Sequence, residues 1–153
     1  FDIDMPVLGH IGATEEYAIE ILADRAASLK KKCPTVNVVT GDLTSYDFGA
    51  EKFDVILDLS TIDHIHPSDL QAVLKSYTKW LKPGGCLWLV VWLGYVTRWT
   101  EVPRGIHSGH QYVFDIEEFP KMLSTVGLKY TFEGPLLGSK ATPFLISIIC
   151  QKE

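Results

Sequence analysis

The sequence predicts an α/β domain on a mostly parallel sheet, with helices on both faces and an antiparallel strand pair at the C-terminal end. Three observations lead there. Strand-like and helix-like stretches alternate almost from end to end. The runs FDVILDL at 53–59 and CLWLVVWL at 86–93 carry apolar residues on both faces, as buried parallel strands require. The 153 residues, 46% hydrophobic and 22% charged, have the composition of a globular chain and exclude a disordered or collagen-like one. That length makes one domain, 1–153, with room for a core that needs no disulfide or metal.

The elements follow in order. Residues 7–11 (VLGHI) read as a first strand. Thr14 then suits an N-cap, with Glu15 and Glu16 in the first turn, where a helix dipole favours acids. Ala18, Ile21, Leu22, Arg25, Ala26 and Leu29 fall on one helical face. Lys30, Lys31 and Lys32 close that helix as a solvated cationic end, and Pro34 stops it. VNVVT at 36–40 is β-branched and reads as a strand running into Gly41-Asp42-Leu43.

After the strand at 53–59, His66-Pro67-Ser68-Asp69 forms a helix entry, since proline's missing N–H costs nothing in the first turn. Leu70, Val73, Leu74, Tyr77 and Leu81 make its apolar stripe, and Lys82-Pro83-Gly84-Gly85 ends it. The strand at 86–93 is expected at the sheet's centre. Residues 95–112, rich in Trp, Arg, His, Gly and Pro, have no clear period and read as a long functional loop. Asp115 with Glu118 resembles a capping box for a helix whose face is Phe119, Met122, Leu123 and Val126 and which Gly127 ends. Pro120 sits deep for that start and argues for a later one. Strands at 129–133 and 144–151 close the chain, joined too closely for a helical crossover and therefore antiparallel.

Charge and cysteine content narrow the function. Fourteen Lys and Arg against 19 Asp and Glu leave a net charge of −5, which argues against a protein built to neutralise phosphate backbones. Cys33, Cys86 and Cys150 are too few and scattered for a disulfide framework, which fits the cytoplasm. The longest apolar run, 86–96, is about half a membrane span, so no membrane partner is expected. No signal peptide is visible. His64, His66, His107 and His110 have H-x-H and H-x-x-H spacings, but read on loops with no cysteine nearby they do not make a metal site. No G-x-G-x-x-G precedes a helix, which argues against a nicotinamide dehydrogenase.

Four segments in order resemble the class I S-adenosylmethionine-dependent methyltransferases, in particular the bacterial "type 11"-like small-molecule enzymes. Val38-Val39-Thr40-Gly41-Asp42-Leu43 is similar to the family's third strand and acidic turn. Phe53 to Asp58 is similar to its fourth strand, Leu59-Ser60-Thr61-Ile62-Asp63-His64-Ile65 to the loop over the methyl-transfer site, and Leu81-Lys82-Pro83-Gly84-Gly85 to the turn before the fifth strand. The resemblance implies a Rossmann-like sheet, S-adenosyl-L-methionine as cofactor and a small-molecule methyl acceptor; a homo-oligomer is compatible with it.

It also implies site residues. Asp42 and Leu43 take the adenine, and Asp58, Leu59 and Ser60 lie on the cofactor side of the loop. Asp63 and His64 stand nearest the reaction, which needs in-line positioning and, for a hydroxyl or protonated amine acceptor, a base. His64 has a suitable unperturbed pKa. For Asp42 a turn-forming role after Gly41 is the plain alternative, for Asp58 the capping of a neighbouring helix or the holding of a loop, and for His64 packing or capping at the loop. Trp92, Tyr95, Arg98, Trp99, Arg104 and His107, with His110, occupy the place where relatives build the acceptor pocket, or else form a lid.

The family's glycine-rich turn after its first strand is absent. With 8–14 (LGHIGAT) set against the family's second strand, Gly12 stands where an acid normally holds the ribose hydroxyls, leaving Glu15 or Glu16 to supply it. The alternative, 7–14 as a first strand with Gly9 and Gly12 as a degraded turn, fits the spacing less well. A sheet lacking its central first strand would split and expose apolar edges, so the chain reads as one βα unit short at its N-terminal end. A non-catalytic relative, used for partner binding or oligomer formation, is the rival function.

Overall fold

The computed structural model describes residues 12–104, 107–137 and 144–153, with backbone alone at 99–104, 107–110, 135–137 and 144. The chain divides into two compact units, Phe1–Tyr46 and Asp47–Glu153.

The first unit holds β1 (Tyr17–Glu20), α1 (Ala23–Lys32) and β2 (Asn37–Thr40). β1 and β2 are parallel, with Tyr17 against Asn37 and Glu20 against Thr40. This corrects the helix read from Thr14: residues 17–20 are strand, and the helix starts at Ala23. Tyr17 and Ile19 suit a strand, and β2 supplies the hydrogen bonds a helical turn would otherwise make. Asn37 N–H donates to the Glu16 carbonyl at 2.8 Å, and Gly41 N–H to the Glu20 carbonyl at 3.0 Å. The strand read at 7–11 lies outside the described residues. Ala26, Val36 and Val38 form a small core with Ala18, Leu29 and Cys33 packed against it, and the three lysines do end α1.

The second unit contains β3 (Phe53–Leu59), a 3₁₀ turn (Ile62–His64), α2 (Pro67–Trp80), β4 (Leu81–Gly94), β5 (Arg98–Arg104), β6 (His107–Asp115), α3 (Glu118–Thr125), β7 (Leu128–Leu137) and β8 (Phe144–Lys152). β4 is central, as its composition predicts. One edge pairs antiparallel with β8, from Cys86 against Gln151 to Leu93 against Phe144, and β7 pairs antiparallel outside β8. The other edge takes β3 in parallel as far as Val90, then β6 in parallel at Leu93 and Gly94. Leu93 thus bonds strands on both sides, so β3 and β6 follow one another along a single edge.

Leu87, Leu89, Val91 and Leu93 are buried to the last atom, while Trp88 between them is 37% exposed. One face of β4 is therefore fully covered and the other partly open, where the composition had suggested two closed faces. Leu70, Val73, Leu74, Tyr77 and Trp80 of α2 and Phe119 and Leu123 of α3 complete the core. Among the described residues the sheet is in two pieces, two strands in one unit and six in the other. Among the described residues β3 pairs with β4 alone, and its Val55 is 36% exposed.

The segment 95–112 is a second correction. It is an antiparallel hairpin, Arg98 opposite Val113 and Arg104 opposite His107. Its backbone hydrogen bonds are made between its own two strands, which a search for a hydrophobic period does not detect. The hairpin joins the sheet at Gly94, where an added Cβ would come within 2.9 Å of Val113 Cγ1. α3 begins at Glu118, with Asp115 Oδ1 accepting from the N–H groups of Glu117 at 2.8 Å and Glu118 at 3.0 Å. Pro120 therefore falls in the first turn, where no intrahelical bond is lost.

Candidate functional site

In the first unit the two parallel strands present their carboxyl ends side by side, the position at which open α/β sheets bind ligands. Glu20 is the last residue of β1; Asp42 follows β2 by two residues. Glu20 Oε1 accepts the Leu22 N–H at 2.9 Å, so the carboxylate turns the chain into α1. Asp42 Oδ1 accepts the Thr44 N–H at 2.8 Å and its hydroxyl at 2.7 Å. These bonds hold the Asp42 carboxyl below its ordinary pKa, the backbone bond most. Asp42 is exposed and Leu43 half-buried. The second oxygen of each carboxylate accepts no hydrogen bond from the described residues, which leaves two acceptors at adjacent strand ends.

In the second unit the loop after β3 is organised by two buried carboxyls. Asp58, 2% exposed, accepts at Oδ1 from the N–H groups of Thr61 at 2.8 Å and Ile62 at 3.1 Å, and at Oδ2 from the Tyr77 hydroxyl at 2.6 Å. Burial raises its pKa against these bonds and pushes the Tyr77 hydroxyl well above its usual range. Asp63 is fully buried, and its Oδ1 accepts the Trp92 N–H at 3.1 Å, tying the 3₁₀ turn to β4. Asp63 Oδ2 has no hydrogen-bond partner among the described residues. Burial pushes its carboxyl up to about 7, aided by the charge of Asp58. Between the two, Ser60 adopts φ +65°, a strained left-handed conformation for a residue with a side chain. Its N–H donates to the Val90 carbonyl at 2.8 Å.

A model of the family described as "Methyltransferase domain" matches residues 7–85, half of the chain. The chain belongs to the methyltransferase domain family. It is 29% identical over 91 residues to a ubiquinone biosynthesis O-methyltransferase of Chelativorans sp. (strain BNC1), covering 51% of this chain and 34% of that protein. The same-named protein of Parvibaculum lavamentivorans is 25% identical over 120 residues, 70% of this chain and 43% of its own. The chain thus spans between a third and a half of the length of these curated relatives. A SAM-bound amino pentose methyltransferase of Micromonospora echinaspora superposes with a TM-score of 0.74 at 14% identity, over 95% of this chain and 77% of that one, and so shares the fold.

Within this methyltransferase domain the strand alignment set out above needs correction. The described strand parallel to β2 is Tyr17–Glu20 and Gly12 lies outside it, while 8–11 fall outside the described residues. Glu20 is the acid that ends that strand. The signal was present as a short Tyr-Ala-Ile run ending on an acid, masked by helical spacing through Ala18, Ile21 and Leu22.

Of the other expected residues, Leu59 and Ser60 are half-buried and His64 is exposed. Trp92 is half-buried near the end of β4, and Tyr95 and Arg98 are exposed. Trp99 and Arg104 lie on β5, and His107 and His110 on β6 rather than on loops. Two residues went unremarked as site residues: Tyr77, which fixes Asp58, and Gln111, buried on β6 with its Nε2 unpartnered among the described residues. No helix of the described residues is long and apolar enough to cross a membrane.

Proposed function

We infer that this domain binds S-adenosyl-L-methionine and transfers its methyl group to a small-molecule acceptor. The observation that carries this reading is that Glu20 ends one of two adjacent parallel strands and Asp42 follows the end of the other, each with an oxygen still able to accept. Such acceptors suit a nucleoside, with Glu20 taking ribose hydroxyls, Asp42 the adenine amino group and the Leu43 N–H a ring nitrogen. Bound there, the cofactor supplies a methyl group made electrophilic by a sulfonium sulfur.

For the second unit the family resemblance assigns Leu59 and Ser60 to the cofactor and gives their loop the work of positioning and proton removal, and Asp58 holds the backbone of that loop. His64, exposed beside buried Asp63, accepts at an imidazole nitrogen the proton that a hydroxyl or amine acceptor gives up. Asp63 acts as a positioning residue, through its bond to Trp92. Trp92, Tyr95, Arg98, Trp99, Arg104 and His107 form the acceptor side, their aromatic and cationic groups suiting a planar or anionic molecule. The reading takes 1–153 as one functional domain. Its setting is cytoplasmic, supported by three unbridged cysteines, and the acidic charge supports a small-molecule partner over nucleic acid.

Calorimetric titration of S-adenosylhomocysteine into the chain tests this reading. Binding that weakens at least tenfold in Glu20→Ala is expected; absence of binding to the unaltered chain overturns it.

A further inference from the structure

Asp63 Oδ2 and Gln111 Nε2 are buried polar atoms without a partner among the described residues, one an acceptor and the other a donor. Both residues are more than nine-tenths buried. They stand on elements that pack together, the 3₁₀ turn after β3 and strand β6. Asp63 is not free to turn away, because its other oxygen is held by the Trp92 N–H at 3.1 Å. Gln111 is held by the backbone ladder of the hairpin, opposite Thr100. The Gln111 amide and the Ser60 hydroxyl are near enough to favour the ionised carboxyl, yet neither makes a hydrogen bond of good geometry to Oδ2.

Buried donors and acceptors are almost always satisfied, by protein or by a third group between them. We propose that Asp63 and Gln111 form a two-point site for a single hydroxyl-class group, which donates to Asp63 Oδ2 and accepts from Gln111 Nε2. A hydroxyl or a water molecule does both at once; an ammonium group cannot accept and an ether cannot donate. The group is therefore a trapped water or the hydroxyl of a bound small molecule. The site goes beyond methyl transfer and stands or falls without it.

Its occupation has an electrostatic signature. The charged group acting on Asp63 is the carboxyl of Asp58, which opposes its ionisation; His64 in turn acts on Asp58 and favours the ionised form of that carboxyl. A donor at Oδ2 stabilises the carboxylate, so a filled site lowers the pKa of Asp63 and an emptied one raises it.

Two measurements, both made without cofactor, test the proposal. In a crystal structure that shows ordered solvent, one density peak within hydrogen-bond reach of both atoms is expected. After a phenol soak, a phenol oxygen at that peak identifies the small-molecule source, and a retained water identifies solvent. A direct Oδ2 to Nε2 bond, other protein partners for either atom, or an empty gap overturns the proposal. In solution, ¹³C carboxyl titration of Asp63 in Gln111→Leu is expected to move upward from wild type, and Gln111→Asn, which keeps a shorter amide, to move less. An unchanged titration in Gln111→Leu overturns it. If that variant does not fold, Gln111→Asn decides, an unchanged titration there counting against the site.

Discussion

The Tyr77 hydroxyl donates to Asp58 Oδ2 at 2.6 Å across 19 residues of sequence, joining the last turn of α2 to the end of β3 inside the core. Through the other oxygen of the same carboxyl the bond reaches the N–H groups of Thr61 and Ile62. One helix side chain thereby sets the backbone of the loop that follows β3.

Tyr77→Phe removes that donor and keeps the ring's packing. It leaves a buried acceptor unpaired, a loss of about 1–3 kcal/mol. Urea denaturation is expected to show a lower midpoint with an unchanged slope; an unchanged midpoint would mean that the bond adds nothing.

Asp63 makes stability depend on pH. With no donor bound at Oδ2 its folded pKa of about 7 stands above the ordinary value of 3.8, so between those limits the folded chain holds the extra proton, and a donor bound there narrows the window. Stability then falls as pH rises through this window, by up to roughly 4 kcal/mol. The raised carboxyl of Asp58 acts in the same direction. Wild type is expected to melt at a higher temperature at pH 5 than at pH 8, and Asp63→Asn to show a much smaller difference.

Asp42 can be separated into two roles. Asparagine retains a carbonyl oxygen for the Thr44 N–H and hydroxyl, so Asp42→Asn should keep stability within about 0.5 kcal/mol. It replaces the second acceptor by an amide donor, and S-adenosylhomocysteine should bind roughly ten- to a hundredfold more weakly, as the loss of a hydrogen bond to a charged group predicts. Asp42→Ala should lose both. Equal binding by Asp42→Asn and wild type would leave Asp42 a turn residue only.

Gly94 marks where the hairpin meets the sheet. Its added Cβ would approach Val113 Cγ1 to 2.9 Å, and a β-branched side chain has few rotamers in which to yield. Gly94→Ala is expected to cost about 1–3 kcal/mol. Val113→Ala in the same chain should recover part of it, seen as a positive coupling in a double-mutant cycle.

Local sequence was most informative where pattern and pairing agree. FDVILDL is β3 at the bounds its composition predicts, His66-Pro67 opens α2, and the last two strands pair antiparallel as their short connection demands. It misled where hydrogen-bond partners lie far along the chain. Residues 17–20 carry a helical spacing but are strand because β2, twenty residues on, supplies a parallel ladder. Residues 95–112 show no clear period, yet Arg98–Arg104 pairs with the strand that follows it.

The same division holds for the candidate site. The sequence by itself determined the α/β class, the family resemblance, the acidic turn at Asp42 and the polar loop at 59–65, because each rests on residue types within a few positions of one another. Tertiary structure alone decided that Glu20 ends a strand beside Asp42, that Tyr77 holds Asp58, and that Gln111 lies among the buried groups around Asp63. Those depend on which backbones pair and which groups lose water together, and neither is a property of a local stretch of chain.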